Sequence, residues 1–137
     1  PRHYDVGALR AIGFKVGKEY DVAGLTGAVS AVNGFWRMDG EAIEFEARFY
    51  QSQDDAVQLG TSFALEGSGE TAALSSSDAT WDEGVKDRRT MFDWRSIPQA
   101  RYGAYIIRSN MILLCEGKDA AQSIARCRAF MDALEPA

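Results

Sequence analysis

Apolar and polar residues alternate with a period of two between residues 34 and 50, the pattern of an antiparallel strand pair with one buried face. Asp39-Gly40 interrupts the alternation, and this dipeptide suits the type I′ turn of a two-residue hairpin. The turn pairs Met38 with Glu41 and predicts a hairpin over about residues 28–50. The face predicted to be buried carries Trp36, Met38, Ile43, Phe45, Ala47 and Phe49. The face predicted to lie in water, with cross-strand charge pairs, carries Phe35, Arg37, Glu44, Glu46, Arg48 and Tyr50.

Two further apolar runs, separated by Ser109-Asn110, predict a second hairpin over about residues 102–115. Asparagine tolerates a positive φ, so the short polar link is typical of a tight turn. This register places Ile106 opposite Leu113. Because both faces of the hairpin are apolar, we expect one of them to be covered by helices or buried against another chain. The candidate interface residues on that face are Tyr105, Ile107, Ile112 and Leu114.

Helix signals occur in three places, each opened by a residue that can cap a helix: Ser52, Thr80 and Asp119. They predict helices at about residues 53–65, 81–92 and 119–135. In the last of these, apolar residues recur at spacings of three and four, so one stripe faces the sheet. That stripe contains Ala120, Ile124, Cys127, Met131 and Leu134.

These elements predict an α+β fold with two layers, in which an antiparallel sheet built from the two hairpins packs against the helices. The order of elements resembles a β-α-β-β-α core with an extra leading strand. Residues 1–27 are interrupted by several glycines and are predicted to be an extended, glycine-rich lead-in, with an edge strand at most. Residues 28–137 are predicted to form a single domain.

The two cysteines lie at the end of the second hairpin and on the last helix, at Cys115 and Cys127. A helix rises about 1.5 Å per residue, so the returning helix brings Cys127 back to about the level of Cys115. A disulfide between helix and strand would stabilise the fold by about 3 kcal/mol and would place the protein outside a reducing cytosol. Two free buried thiols, acting as small hydrophobic side chains, are the alternative.

Charge and composition exclude several functions. The net charge of −5 argues against a nucleic-acid or anionic-membrane surface, which needs clustered Lys and Arg. No apolar run reaches the roughly 18 residues of a membrane span. The single histidine, His3, lies near the terminus, which disfavours a Ser-His-Asp triad and a zinc site. We therefore assign no catalytic residue, metal ligand or cofactor.

Tryptophan, acid and arginine occur together in one candidate ligand patch, which could bind a sugar or an anion: Trp81, Glu83, Arg88 and Trp94. The simpler interpretation is a half-exposed helix with Trp81 in the core. A hydrolase acting on a sugar through two carboxylates would also be compatible with the many acids. Its candidate residues would be Glu44, Glu46, Asp82 and Glu83.

Three stretches carry a resemblance to a known family. The first contains Phe49-Tyr50, Ser52 and Asp55-Ala56. The second runs from Trp81 through Glu83-Gly84-Val85-Lys86-Asp87-Arg88, and the third contains Leu114-Cys115-Glu116-Gly117 with Cys127. Over roughly residues 14–135 the chain resembles an uncharacterised family of small exported bacterial lipoprotein-type domains. The resemblance implies an extracytoplasmic location and a paired cysteine, and it implies no activity. The lipidated cysteine of such proteins is not among these residues.

Taken together, the sequence predicts a non-catalytic, exported bacterial binding or interaction domain whose ligand is unknown. The expected partner is another protein or a second copy of the chain. One alternative is a self-assembling structural subunit that donates its N-terminal segment as a strand. A second alternative is the carboxylate-based hydrolase. Because the chain starts at Pro1 rather than Met, we expect it to be processed, with any export signal upstream.

Overall fold

A computed structural model describes residues 2–91 and 98–136. In these ranges the chain is α+β, with a five-stranded antiparallel sheet, a two-stranded sheet and three α-helices. The helices are α1 (Val6–Ala11), α2 (Gln53–Glu66) and α3 (Ala120–Leu134). The strands are β1 (Lys15–Glu19), β2 (Ala28–Met38), β3 (Glu41–Tyr50), β4 (Arg89–Met91), β5 (Pro98–Ala100), β6 (Tyr102–Arg108) and β7 (Met111–Glu116). None of the described helices is long and apolar enough to cross a membrane.

Both predicted hairpins are confirmed, in the predicted registers. Met38 pairs with Glu41 across the first turn, where Asp39 and Gly40 both have positive φ (51° and 83°). Ile106 pairs with Leu113 in the second hairpin, and there the positive φ belongs to Ser109 rather than to Asn110. Strand β3 pairs with β7, so the sheet order is β1-β2-β3-β7-β6.

The predicted apolar face of the sheet packs under α3. A disulfide joins Cys115 on β7 to Cys127 on α3, with the two Cα atoms 5.7 Å apart, so the paired-cysteine interpretation is confirmed. Phe130 lies at the centre of this layer, with its ring 4.7 Å from the ring of Phe45. The sequence predicted this layer because the helix stripe and the strand alternation have matching apolar faces.

The opposite face of the first hairpin is exposed only near the turn, so the predicted exposure is confirmed for Phe35 and Arg37 and wrong for the other four residues. Glu46 and Arg48 are fully buried and Glu44 is 8% exposed. Helix α2 lies across this face, and small residues on its inner side allow a close approach: a Cβ on Gly60 would lie 2.6 Å from the Tyr50 hydroxyl. Alternation along the strands predicts correctly which residues share a face, but it does not predict which face is exposed to solvent.

The helix predicted over residues 81–92 is also wrong, and residue 92 lies outside the described residues. A 3₁₀ turn occupies Val85–Arg88 and leads directly into β4. Two local features end the helical pattern. Gly84 has a left-handed φ of 76°, and Thr80 donates from its backbone N–H and its hydroxyl to Glu66 (2.7 Å each) instead of capping a helix.

The N-terminal residues are not simply extended. Asp5 caps α1, accepting from the Ala8 N–H at 3.0 Å, and β1 then forms the edge strand beside β2. Leu9 and Phe14 are buried in the same core layer as Phe130. The edge strand is therefore confirmed, whereas the extended segment before it is replaced by a helix that packs on the sheet.

Candidate functional site

Three charged residues form a buried charge cluster on the α2 side of the sheet: Glu46, Arg48 and Arg88. The Nε of Arg48 donates to one carboxylate oxygen of Glu46 at 2.7 Å, and the Nε of Arg88 donates to the other at 2.8 Å. The side chains are 0%, 0% and 3% exposed in that order, so water does not screen these pairs. Two guanidinium groups share one carboxylate, which leaves the cluster with one excess positive charge.

Arg48 has more donors than the described part of the chain satisfies. Both of its terminal nitrogens, and the nearby hydroxyl of Tyr50, are buried and have no hydrogen-bond partner among residues 2–91 and 98–136. Such groups are costly to bury, because each loses its hydrogen bonds to water. The ring of Trp81 lies against this guanidinium, with 4.9 Å from the ring centroid to Cζ, and offsets part of that cost.

The candidate ligand patch is only partly assembled. Trp81 and Arg88 are brought together, with the guanidinium carbon 4.6 Å from the ring centroid, and both are buried. Glu83 contributes its backbone carbonyl, which accepts from Arg88, while its side chain is exposed. Trp94 lies outside the described residues. Trp81 and Arg88 are therefore buried beneath the surface and do not form an exposed ligand patch.

A cleft of about 510 Å³ lies between the end of β1 and residues 82–87, and Tyr20 and Asp87 are among the residues that line it. The Tyr20 hydroxyl donates to Asp87 at 2.7 Å, and the Lys18 ammonium donates to the other oxygen of Asp87 at 2.7 Å. Burial by itself would raise the pKa of Asp87, but the hydrogen bonds from Lys18 and Tyr20 and the charges of Lys18 and Arg88 together outweigh it and hold the pKa below its ordinary value. Sequence reasoning missed Tyr20 and Asp87, because neither lies in a periodic pattern.

Glu44 has its own partners on the same face of the sheet. It accepts from the Asn33 side chain at 2.6 Å and lies 3.4 Å from a terminal nitrogen of Arg101. Burial raises the pKa of the Glu44 carboxyl, and its partners offset only part of that rise. The four carboxylates considered for a hydrolase are thus divided: Glu44 and Glu46 are buried and paired, whereas Asp82 and Glu83 lie exposed on the turn.

The two edge strands of the large sheet differ in the number of charged residues that they carry. Strand β1 carries Lys15, Lys18 and Glu19, and its register shifts between Val16 and Lys18. Charges and irregular pairing are the features that protect a sheet edge from adding another strand. Strand β6 is seven residues long and also has a register shift, between Tyr102 and Ala104, but Arg108 at its end is its single charged residue.

Two of the four candidate interface residues lie on this β6 edge. Ile112 and Leu114 are fully buried under α2, whereas Tyr105 and Ile107 are partly buried against the same cluster. All four share one face, as the alternation predicted. The exposed remainder of this face therefore lies along β6.

The backbone of β6 offers hydrogen-bonding groups at the same place. Arg108 and Met111 flank the two-residue turn and form a hydrogen-bonded pair, so the next such pair is Ile106 with Leu113. The N–H and C=O groups of Tyr105 and Ile107 then point away from β7. Among the described residues, these groups make no hydrogen bond outside the strand ladder. No sequence pattern identifies this edge, because strand order is a property of the whole sheet.

Comparison with models of protein families identifies a match. The model of a family of unknown function (DUF6810) matches residues 5–136. A search of curated proteins and a search of solved structures each found no match.

Proposed function

The chain belongs to this family of unknown function, and we propose that it is an exported, non-catalytic bacterial domain that binds protein. Binding occurs at the β6 edge, where an extended segment of the partner adds to the sheet as a further strand. In this mode backbone hydrogen bonds give affinity, and side chains on alternate positions give specificity.

The difference between the two sheet edges carries the proposal. Strand β1 carries charged side chains of the kind that protect a sheet edge from adding another strand. Strand β6 instead combines an apolar side-chain row with the backbone groups of Tyr105 and Ile107, which have no partner among residues 2–91 and 98–136. An edge of this kind favours a partner strand, because outward-facing backbone groups and partly exposed apolar side chains lie side by side.

The pairing of two acids, the buried Glu46 and the partly buried Asp87, supports a non-catalytic role. Glu46 is held by two arginines, and Asp87 is held by Lys18 and Tyr20. Carboxylates with their oxygens engaged in this way stabilise the fold, and they are poorly placed to exchange protons with a substrate.

The exported, lipoprotein-type character of the family is part of the proposal. The disulfide between Cys115 and Cys127 supports it, because disulfides persist mainly in oxidising compartments. Fractionating the bacterium that makes the protein and probing each fraction tests the location. Recovery with the cytosolic fraction would contradict it.

A donated N-terminal strand has less support than the β6 edge. Strand β1 pairs with β2 of its own chain, and α1 packs into the core that surrounds Phe130. The N-terminal segment is therefore already used within the domain.

Strand addition is tested with a fluorescently labelled peptide of alternating Thr and Val between terminal lysines. Fluorescence anisotropy should show saturable binding to the wild-type protein and to Ile107→Val. Ile107→Pro should weaken binding at least about tenfold, because proline removes the outward N–H without breaking the ladder to β7. Equal binding by the proline variant, or no binding by the wild type, would refute the proposal.

A further inference from the structure

We infer that the strand pairing with β6 is β6 of a second copy of this chain, so that two sheets join across a two-fold axis. The inference rests on the proposed function, because it names the partner of the same edge.

The free backbone groups select one register. A two-fold axis through Tyr105 would require Gly103 to pair, but the Gly103 N–H already donates to the Ser123 hydroxyl at 2.9 Å. An axis through Ile107 would require Ser109, which lies in the turn with a φ of 51°. An axis through Ile106 uses only Tyr105 and Ile107, the two residues whose backbone groups point outward.

This register pairs each Tyr105 with Ile107 of the second copy and gives four backbone hydrogen bonds. Ile106 then faces its own counterpart across the axis.

The side chains are complementary in the same arrangement. Tyr105 lies beside Ile107 of the second copy, and aromatic residues pair favourably with β-branched ones across strands. Arg108, the charged residue of β6, lies opposite Ala104 rather than opposite another arginine. No like charges meet along β6, so a copy of β6 is a suitable partner for itself.

Cysteine substitution tests the register directly. Residues that face each other in a non-hydrogen-bonded pair have Cα atoms about 4.5 Å apart, within the range that a disulfide spans. Ile106→Cys should therefore cross-link two copies under mild oxidation. Ile107→Cys is the matched control, because its two copies are offset along the strands and lie about 8 Å apart, beyond disulfide reach.

Light scattering supplies an independent measurement on the unmodified protein. Because the contact is small, the dimer fraction should rise with concentration between about 10 μM and about 1 mM, and Ile107→Pro should remain monomeric. A dimer that survives this substitution, or equal cross-linking through residues 106 and 107, would overturn the inference.

The two proposals fail differently. A wild-type protein that stays monomeric and does not cross-link through Ile106→Cys overturns the dimer. If that monomer binds the Thr-Val peptide, strand addition at β6 stands and its partner is a different protein. If it binds no peptide, both proposals are refuted.

Discussion

Replacing Glu46 by glutamine tests whether the buried charge cluster holds the α2 side of the sheet together. The carboxylate makes two charged contacts, of 2.7 Å to Arg48 and 2.8 Å to Arg88, with all three side chains at most 3% exposed. Removing one partner of a buried ion pair typically costs about 3–5 kcal/mol. We expect a loss of about 4 kcal/mol, a large part of the 5–15 kcal/mol that stabilises a typical domain.

The size of this effect follows from the charge balance. Glutamine leaves two neighbouring guanidinium groups with no counter-charge from residue 46, and the terminal nitrogens of Arg48 are already unpaired among the described residues. Arg48→Met instead restores the charge balance, because it leaves Glu46 and Arg88 as one ion pair and removes the unpaired nitrogens. Arg48→Met should therefore cost less, about 1–2 kcal/mol. Glu41→Gln is the exposed control, with an expected change within about 0.5 kcal/mol.

Urea unfolding, followed by circular dichroism and by tryptophan fluorescence, measures these differences. Trp81 contacts both guanidinium groups, so its environment should change when the cluster does. The reasoning is refuted if Glu46→Gln loses less than about 1 kcal/mol. It is equally refuted if Arg48→Met is the more damaging substitution.

Three further predictions concern other parts of the molecule. Replacing Cys115 and Cys127 by alanine should lower the free energy of unfolding by about 3 kcal/mol in denaturant titrations, because the disulfide closes a loop with a sequence separation of 12. Gly60→Ala should lower stability by about 1–3 kcal/mol, since its Cβ would lie 2.6 Å from the Tyr50 hydroxyl; a thermally more stable variant would contradict this packing. The pKa of Asp87 is lower in the folded protein than its ordinary value of 3.8, so its contribution is present above that pH and is lost as the pH falls. Stability measured from pH 5 to 3 should therefore fall more steeply in the wild type than in Asp87→Asn.

Local pairing could be predicted from the sequence because short-range rules determine it. Asp39-Gly40 accepts the two positive φ angles of a type I′ turn, and the turn fixes the register of both flanking strands. The disulfide was predicted for a similar reason, because the rise of a helix and of a strand sets how far Cys127 returns toward Cys115. Free thiols remained possible until the Cα–Cα distance of 5.7 Å was known.

The environment of the charged face could not be predicted, because it depends on distant parts of the chain. Glu46 and Arg48 look like surface residues until α2 and the 3₁₀ turn fold over them. The partner that neutralises Glu46 from this turn is Arg88, which is 42 positions away in the sequence. Alternation identifies a second face but does not say whether water or another element covers it.

Local sequence signals conflict in the helix that was predicted over residues 81–92. Thr80 and Glu83 have the spacing of a capping box, but Gly84 follows at once, and glycine lowers helix propensity by about 1 kcal/mol. In the structure Gly84 takes a left-handed φ of 76°, and the turn brings Arg88 back over Trp81. Gly84 therefore acts as a turn residue and ends the helical pattern.

The way in which β6 is held favours strand addition at its free edge. Its neighbour β7 is fixed to α3 by the disulfide at Cys115. On the other face, the side chains of Tyr105 and Ile107 pack against the apolar residues under α2, which include Ile112 and Leu114. Strand β6 is thus held from both faces of the sheet before any partner binds. A strand that is already ordered loses little conformational entropy when another strand pairs with it, so even a short contact can be specific. Breaking the disulfide should therefore weaken peptide binding at β6, although neither cysteine lies on that edge.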